Sequence, residues 1–213
     1  MQNNRNNWLN KRKGGIGGSD AAAVIGRNPW MSNVDLWEIK TGRKQQADIS
    51  DKDVVKYGVA AEGLLIDLFK LDYPCYDVKH IDFDIIRDSQ NPFLIASLDG
   101  RLIEKDTGRK GILEIKTTEI RRAADWDKWD NQIPDNYFCQ VIHYLSVTGW
   151  DFAILKAQIK HYKDEVPTLT TRHYYFDRKN HEEDIAFLRQ REIEFWQEYV
   201  EKDVCPPLIL PTI

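Results

Sequence analysis

The chain has 213 residues, 42% hydrophobic and 30% charged, with a formal net charge of −4. That balance fits one globular domain over 1–213, with a polar and basic lead-in over 1–18, and excludes a fibrous or disordered chain. No apolar run approaches the ~18 residues of a membrane span, the Asn-rich Met1–Asn10 is no secretory signal, and three dispersed cysteines (Cys75, Cys139, Cys205) suggest neither disulfide framework nor zinc ribbon.

The acidic total argues mildly against nucleic-acid binding. The charge is uneven, however. Lys11, Arg12 and Lys13 sit together, and Arg101, Lys105, Arg109, Lys110, Lys116, Arg121 and Arg122 crowd one middle stretch. Local basic patches govern phosphate contact more than net charge does, although most such residues are ordinary solvated charge.

The lead-in ends at Gly14, Gly15, Gly17 and Gly18. Ser19 then reads as the N-cap of a short helix, Asp20 to Ile25, stopped by Gly26 and Pro29. Ser32 and Asp35 form a capping-box pattern for a second helix closed at Gly42. Residues 52–70 read as a longer helix with apolar Val55, Val59, Leu65, Ile66 and Phe69, and Glu62 as one carboxylate on it. Tyr76 to Ile86 alternates like a strand. Phe93 to Ile103 and Gly111 to Thr117 are two more, joined as a hairpin by the polar turn Glu104 to Gly108. Pro134 opens a helix from Asp135 to Val147, ended by Gly149. Phe152 to Ile159 and His173 to Phe176 are strand-like, and Glu182 to Lys202 is a final amphipathic helix. The order predicts an α/β domain with a central mixed sheet flanked by helices.

Asp99, Glu114 and Lys116 carry the chemistry. Residues 114 and 116 share one face of a strand, while Ile115 faces the core and leaves its carbonyl near the carboxylates. Asp99 ends the neighbouring strand, in a register that can set it beside Glu114. Carboxylates plus a carbonyl form a hard oxygen site suited to Mg²⁺. A lysine beside it can hold an attacking water and offset charge on a phosphate. A strand salt bridge between Glu114 and Lys116 explains the same spacing. The five histidines, His80, His143, His161, His173 and His181, lack ligand spacing. Gly14 to Gly18 lacks the G-K-[ST] end of a nucleotide loop. Trp126, Trp129 and Trp196 suit core or interface. Gln140 and Tyr144, four apart, can simply line one helix face.

Several segments in order resemble a known family: Trp8 to Asp20 (WLNKRKGGIGGSD), the following AAAVIGRNPW, YGVAAE ending at Glu62, IASLDG ending at Gly100, LEIK at Leu113 to Lys116, and IPDNYFCQVIHYLSVTG at Ile133 to Gly149. The chain resembles the YqaJ-like viral recombinase family, the lambda exonuclease group of PD-(D/E)XK nucleases. The resemblance implies that Glu62, Asp99 and Glu114 are metal carboxylates, with the Ile115 carbonyl assisting. Lys116 would be the catalytic lysine, Gln140 the active-site glutamine and Tyr137 a supporting residue one turn before it. Arg12, Ser19, Ser97 and Arg122 fall where the family binds a DNA 5′-phosphate, for which arginines and hydroxyls at a helix N-terminus are suitable donors. Leu98 stands where the family usually has proline, a change in backbone shape rather than chemistry.

The resemblance also implies Mg²⁺ (with Mn²⁺ substituting), 5′-to-3′ digestion of duplex DNA ends, 3′ single-stranded tails and a single-strand annealing protein as partner. A trimeric ring and the cytoplasm of a bacterial host, with phage or prophage origin, belong to the same expectation. Neither a nucleotide cofactor nor an iron–sulfur cluster is expected; the cluster needs about four cysteines. The rival readings are an endonuclease of the same core and a non-catalytic DNA-end-binding module.

Overall fold

The structure, a computed structural model, describes Trp8 and residues 11–210. The rest of the polar N-terminal stretch and 211–213 lie outside the described residues. In chain order the elements are β1 (Ile16–Gly17), α1 (Gly18–Val24), α2 (Asn33–Lys40), α3 (Asp53–Asp72), β2 (Tyr76–Lys79), β3 (Ile86–Arg87), β4 (Leu94–Ala96), β5 (Gly100–Glu104), β6 (Lys110–Glu119), α4 (Asp135–Thr148), β7 (Phe152–Lys163), β8 (Val166–Asp177) and α5 (Glu182–Glu194). A five-stranded sheet runs β2-β5-β6-β7-β8, with only the β6–β7 pair parallel. A small sheet, β1-β4-β3, stands apart from it.

Helices cover the large sheet on both faces. One core joins α1, α4 and α5 to the sheet through Ile112, Leu145, Leu155 and Leu188. The other lies under α3, where Leu65, Ile66 and Phe69 meet Leu113, Ile115 and Phe152. Alternation along β6 explains the split: Ile112 and Glu114 face the α4 side, and Leu113 and Ile115 face α3. A mixed sheet flanked by helices is thus the architecture, as the sequence pattern predicted.

The local differences have physical causes. The first helix begins at Gly18 with Gly17 as N-cap, not at Ser19, because the Asp20 carboxylate accepts the Gly17 N–H at 3.0 Å. A side chain at Gly18 would put its Cβ 2.6 Å from the Tyr144 ring, so this helix start lies directly on α4. Val59, expected on the buried stripe of α3, is 73% exposed, since Leu65, Ile66 and Phe69 define another face. The two strands expected over 76–86 and 93–103 each break. Asp84 and Ser97 divert the chain: the Ser97 hydroxyl donates to the Asp84 carbonyl at 3.0 Å, and Asp84 pairs with Arg101. Such side-chain bonds compete with a ladder. Phe83, at φ 58°, turns the first segment out of extended backbone. The final helix passes into a π-helical turn over Phe195–Val200.

Candidate active site

Three elements bring the polar residues together. β6 supplies Glu114 and Lys116, the bend between β4 and β5 supplies Asp99, and α4 supplies Gln140. The β5–β6 register stops at Gly100↔Leu113, so the next rung would set Asp99 opposite Glu114. In place of that rung, the Asp99 carboxylate accepts the Ile115 N–H at 2.8 Å. In an extended strand a residue's N–H and C=O point the same way, so the Ile115 carbonyl also faces the Asp99 side.

Glu114 is 2% exposed. Its Oε1 accepts from Gln140 Nε2 at 2.6 Å and pairs with Lys116 Nζ at 2.7 Å. Its Oε2 is buried and has no hydrogen-bond partner. The same Gln140 amide also donates to the Tyr144 hydroxyl at 3.0 Å. Lys116 Nζ lies 5.0 Å from the centre of the Tyr137 ring, a cation–π arrangement that steadies the ammonium. The glutamine and the lysine therefore hold one Glu114 oxygen between them and leave the other bare.

The electrostatics follow from that geometry. Burial, and then the neighbouring Asp99 carboxylate, push Glu114 up to about 8. Burial also raises Asp99, against the opposing pull of Lys116. Glu62 on α3 is raised by burial and by Asp99. Burial draws the Lys116 ammonium down, but Glu114 and Asp99 together outweigh it and hold it above the usual lysine range. The three carboxylates thus feel one another, and the neighbouring Lys116 ammonium offsets only part of their charge.

Among the described residues, no three His, Cys, Asp or Glu side chains form a ready-made metal cage. The donor chemistry nevertheless fits a hard divalent cation. A buried carboxylate oxygen without a partner, a second carboxylate opposite it and a strand carbonyl on the same side are oxygen donors of the type Mg²⁺ takes. Mutual repulsion that raises carboxylate pKa values is what such a cation would relieve.

Arg12, Ser19 and Ser97 gather around Trp8. Arg12 lies 4.5 Å over the Trp8 ring and its guanidinium donates to the Ser19 hydroxyl at 3.3 Å. Trp8 Nε1 donates to the Ser97 hydroxyl at 3.1 Å. Arg12 also exerts a charge effect on Asp99, which links this cluster to the carboxylates. Arg122 is not brought into it. Its side chain is 78% exposed and pairs with Asp125 at 3.0 Å.

Two residues of the site were not singled out by their spacing. Trp8 joins the serine and arginine through its indole, a contact between positions 89 residues apart. His80 reaches the Asp99 main chain from the loop after β2. Neither has a local pattern; only the tertiary fold places them.

Residues 7–151 match the YqaJ-like viral recombinase domain. The chain belongs to that family. It is 31% identical over 211 residues to the uncharacterised protein YqaJ of Bacillus subtilis (strain 168), covering 96% of this chain and 59% of that protein. The chain thus spans well under two thirds of its relative's length. Its fold is that of the alkaline exonuclease LHK-Exo from Laribacter hongkongensis, at TM-score 0.58 and 18% identity, over 93% of this chain and 97% of the other. The same enzyme in complex with dAMP superposes at TM-score 0.57, with the same coverage and identity. The expected family and fold are therefore both met. In this family member the proline-less bend at Leu98 is filled by packing, since Leu98 is buried in the main core.

Proposed function

We propose that the chain is a Mg²⁺-dependent exonuclease that digests duplex DNA ends in the 5′-to-3′ direction and leaves 3′ single-stranded tails for strand annealing. The observation that carries the reading is the buried Glu114 carboxylate. One oxygen is clamped by Lys116 and Gln140, and the other is bare beside Asp99 and the Ile115 carbonyl. A salt bridge serving stability alone gains nothing from burying an unpaired oxygen there. Family membership and the fold shared with an alkaline exonuclease support DNA ends as the substrate.

Asp99, Glu114 and the Ile115 carbonyl would hold the ion, with Glu62 facing them from α3. When bound, Mg²⁺ supplies Lewis-acid stabilisation of the phosphate and eases deprotonation of water. The protein's own groups do the rest. Lys116 stays protonated and presents a fixed positive charge for the attacking water and the phosphate oxygens. Gln140 fixes the orientation of Glu114. Arg12 with Ser19 and Ser97 offers charge-assisted donors for a terminal 5′-phosphate. The cytoplasm of a bacterial host, an annealing protein as partner and a closed homo-oligomer that encloses DNA complete the proposal. Within the described residues no helix is long and apolar enough to cross a membrane.

The direct test is digestion of linear duplex DNA labelled separately at each end, beside a closed circle. Loss of label from 5′ ends, with the circle intact, is the expected result. Cutting of the circle would identify an endonuclease. Mg²⁺ or Mn²⁺ should support the reaction and EDTA should stop it; full activity in EDTA would remove the hydrolysis mechanism.

The end pocket makes its own prediction. Arg12→Ala should slow digestion of 5′-phosphorylated ends by about 10- to 100-fold, the value of one or two charge-assisted bonds. Ends with a 5′-hydroxyl should slow far less. Arg122→Ala, which removes an exposed pair with Asp125, serves as the comparison. Equal slowing of both substrates by Arg12→Ala would make Arg12 a general backbone contact.

A further inference from the structure

Asp99 belongs to no ladder. β5 pairs with β6 only from Gly100↔Leu113 onward, and with β2 only up to Lys79↔Arg101. A carboxylate whose backbone is unpaired on both sides would be loosely placed. Two contacts replace the missing rungs. The side chain accepts the Ile115 N–H at 2.8 Å, and the main-chain carbonyl is met by His80 Nδ1 at 2.6 Å. A carbonyl oxygen only accepts, so Nδ1 must carry the proton and donate it. The other ring nitrogen, Nε2, stands 3.0 Å from the Asp82 carboxylate, which accepts from it when that nitrogen is protonated as well. The same loop grips the bend at its other end, where Ser97 donates to the Asp84 carbonyl at 3.0 Å.

We propose that His80 is a positioning residue for Asp99. Its Nδ1–H substitutes for a ladder hydrogen bond and fixes the carbonyl of Asp99, so that the carboxylate stays aimed at Glu114 and the Ile115 amide. The inference rests on the reading of Asp99 as an active-site carboxylate. It adds a residue that spacing alone sets aside as a scattered histidine. It also explains how a bend without a proline at 98 presents its aspartate in one orientation. His80 touches no reacting atom; it acts through Asp99.

The test exploits the two ring positions. In His80→Asn the amide nitrogen falls near the place of Nδ1 and keeps the donor to Asp99. In His80→Gln the amide nitrogen falls near Nε2 and does not. His80→Ala removes both. In metal-free protein, exchange of the Ile115 amide reports directly on whether the Asp99 carboxylate is still in place. It should accelerate about tenfold in the Ala and Gln variants and stay within about threefold of wild type in Asn, in keeping with the leverage of supporting bonds around a site. Single-turnover digestion should follow the same order, with the loss in turnover and end binding in Ca²⁺ unchanged. Asn and Gln variants that behave alike, or an Ala variant with wild-type exchange at Ile115, would overturn the proposal. If the Ala variant folds poorly, the Asn–Gln contrast still decides. If wild type digests no DNA end, the exonuclease reading falls, and the exchange at Ile115 still tests the clamp by itself.

Discussion

Lys116→Ala is expected to lower single-turnover digestion by about a hundredfold or more, the usual loss when one preorganised charged group leaves a transition state. The expectation follows from the state in which the structure holds the side chain. Glu114 and Asp99 keep the ammonium protonated despite burial, so it serves as a fixed charge rather than as a base. Its nitrogen is already placed, 2.7 Å from Glu114 and over the Tyr137 ring. Binding of duplex ends in Ca²⁺ should be nearly unchanged, because the carboxylates and the Arg12 cluster remain. Lys116→Arg should recover little, since a planar fork cannot occupy the place of a compact ammonium between a carboxylate and a ring. The alternative, an ion pair with no role in chemistry, makes the opposite prediction. Its loss would then appear as a lower melting temperature with turnover within a few-fold of wild type. A folded Lys116→Ala protein that digests at such a rate would reduce Lys116 to a strand ion pair.

The sequence pattern revealed some parts of this site and left others hidden, for identifiable reasons. Alternation told which face of β6 Glu114 and Lys116 share, because a strand's period is a local property. The helix that carries Gln140 was legible for the same reason, bounded by Pro134 and by Gly149 at φ 67°. The bend that carries Asp99 was not. The segment Phe93 to Ile103 has the alternation of one strand. The break depends on Asp84, Arg101 and His80, whose contacts with it span 13 to 19 residues of sequence. The long β7–β8 hairpin was also underestimated. Its turn uses Asp164 and Glu165 at φ 49° and 64°. Two-residue turns of that kind normally announce themselves with glycine or asparagine. Val59, read among the apolar positions of α3, faces solvent in the single chain, as do Leu64, Leu68 and Leu71.

Glu114→Gln should abolish digestion and, without metal, stabilise the protein at alkaline pH. Both effects come from the same buried oxygen. For activity, the substitution removes one of the charges that would hold the ion. It thereby forfeits several kcal/mol of transition-state stabilisation, on the order of a thousandfold in rate or more. For stability, burial and Asp99 raise the folded-state pKa of Glu114 from 4.5 to about 8. A raised carboxyl pKa means that the folded state binds the proton more tightly than the unfolded chain. Its favourable contribution is therefore fully present below pH 4.5 and is lost as the pH rises through about 8. In EDTA, wild type should accordingly lose stability relative to Glu114→Gln across that window. At pH 5 the two melting temperatures should lie close together. Near pH 9 the glutamine variant should melt higher by roughly 2–4 °C or more, the size expected when a change of about 1 kcal/mol or more acts on a domain of this length. The amide can still accept from Lys116 and Gln140 through its oxygen, and its new N–H group can donate toward Asp99, so no buried donor is left bare. Adding Mg²⁺ should reverse the order by raising wild type alone, since binding to the native state stabilises it. The measurement is a pair of melting curves at several pH values, each with EDTA and with Mg²⁺. A metal-free difference that stays constant from pH 5 to 9 would mean that Glu114 is already compensated within the protein, and the cation would lose its electrostatic rationale.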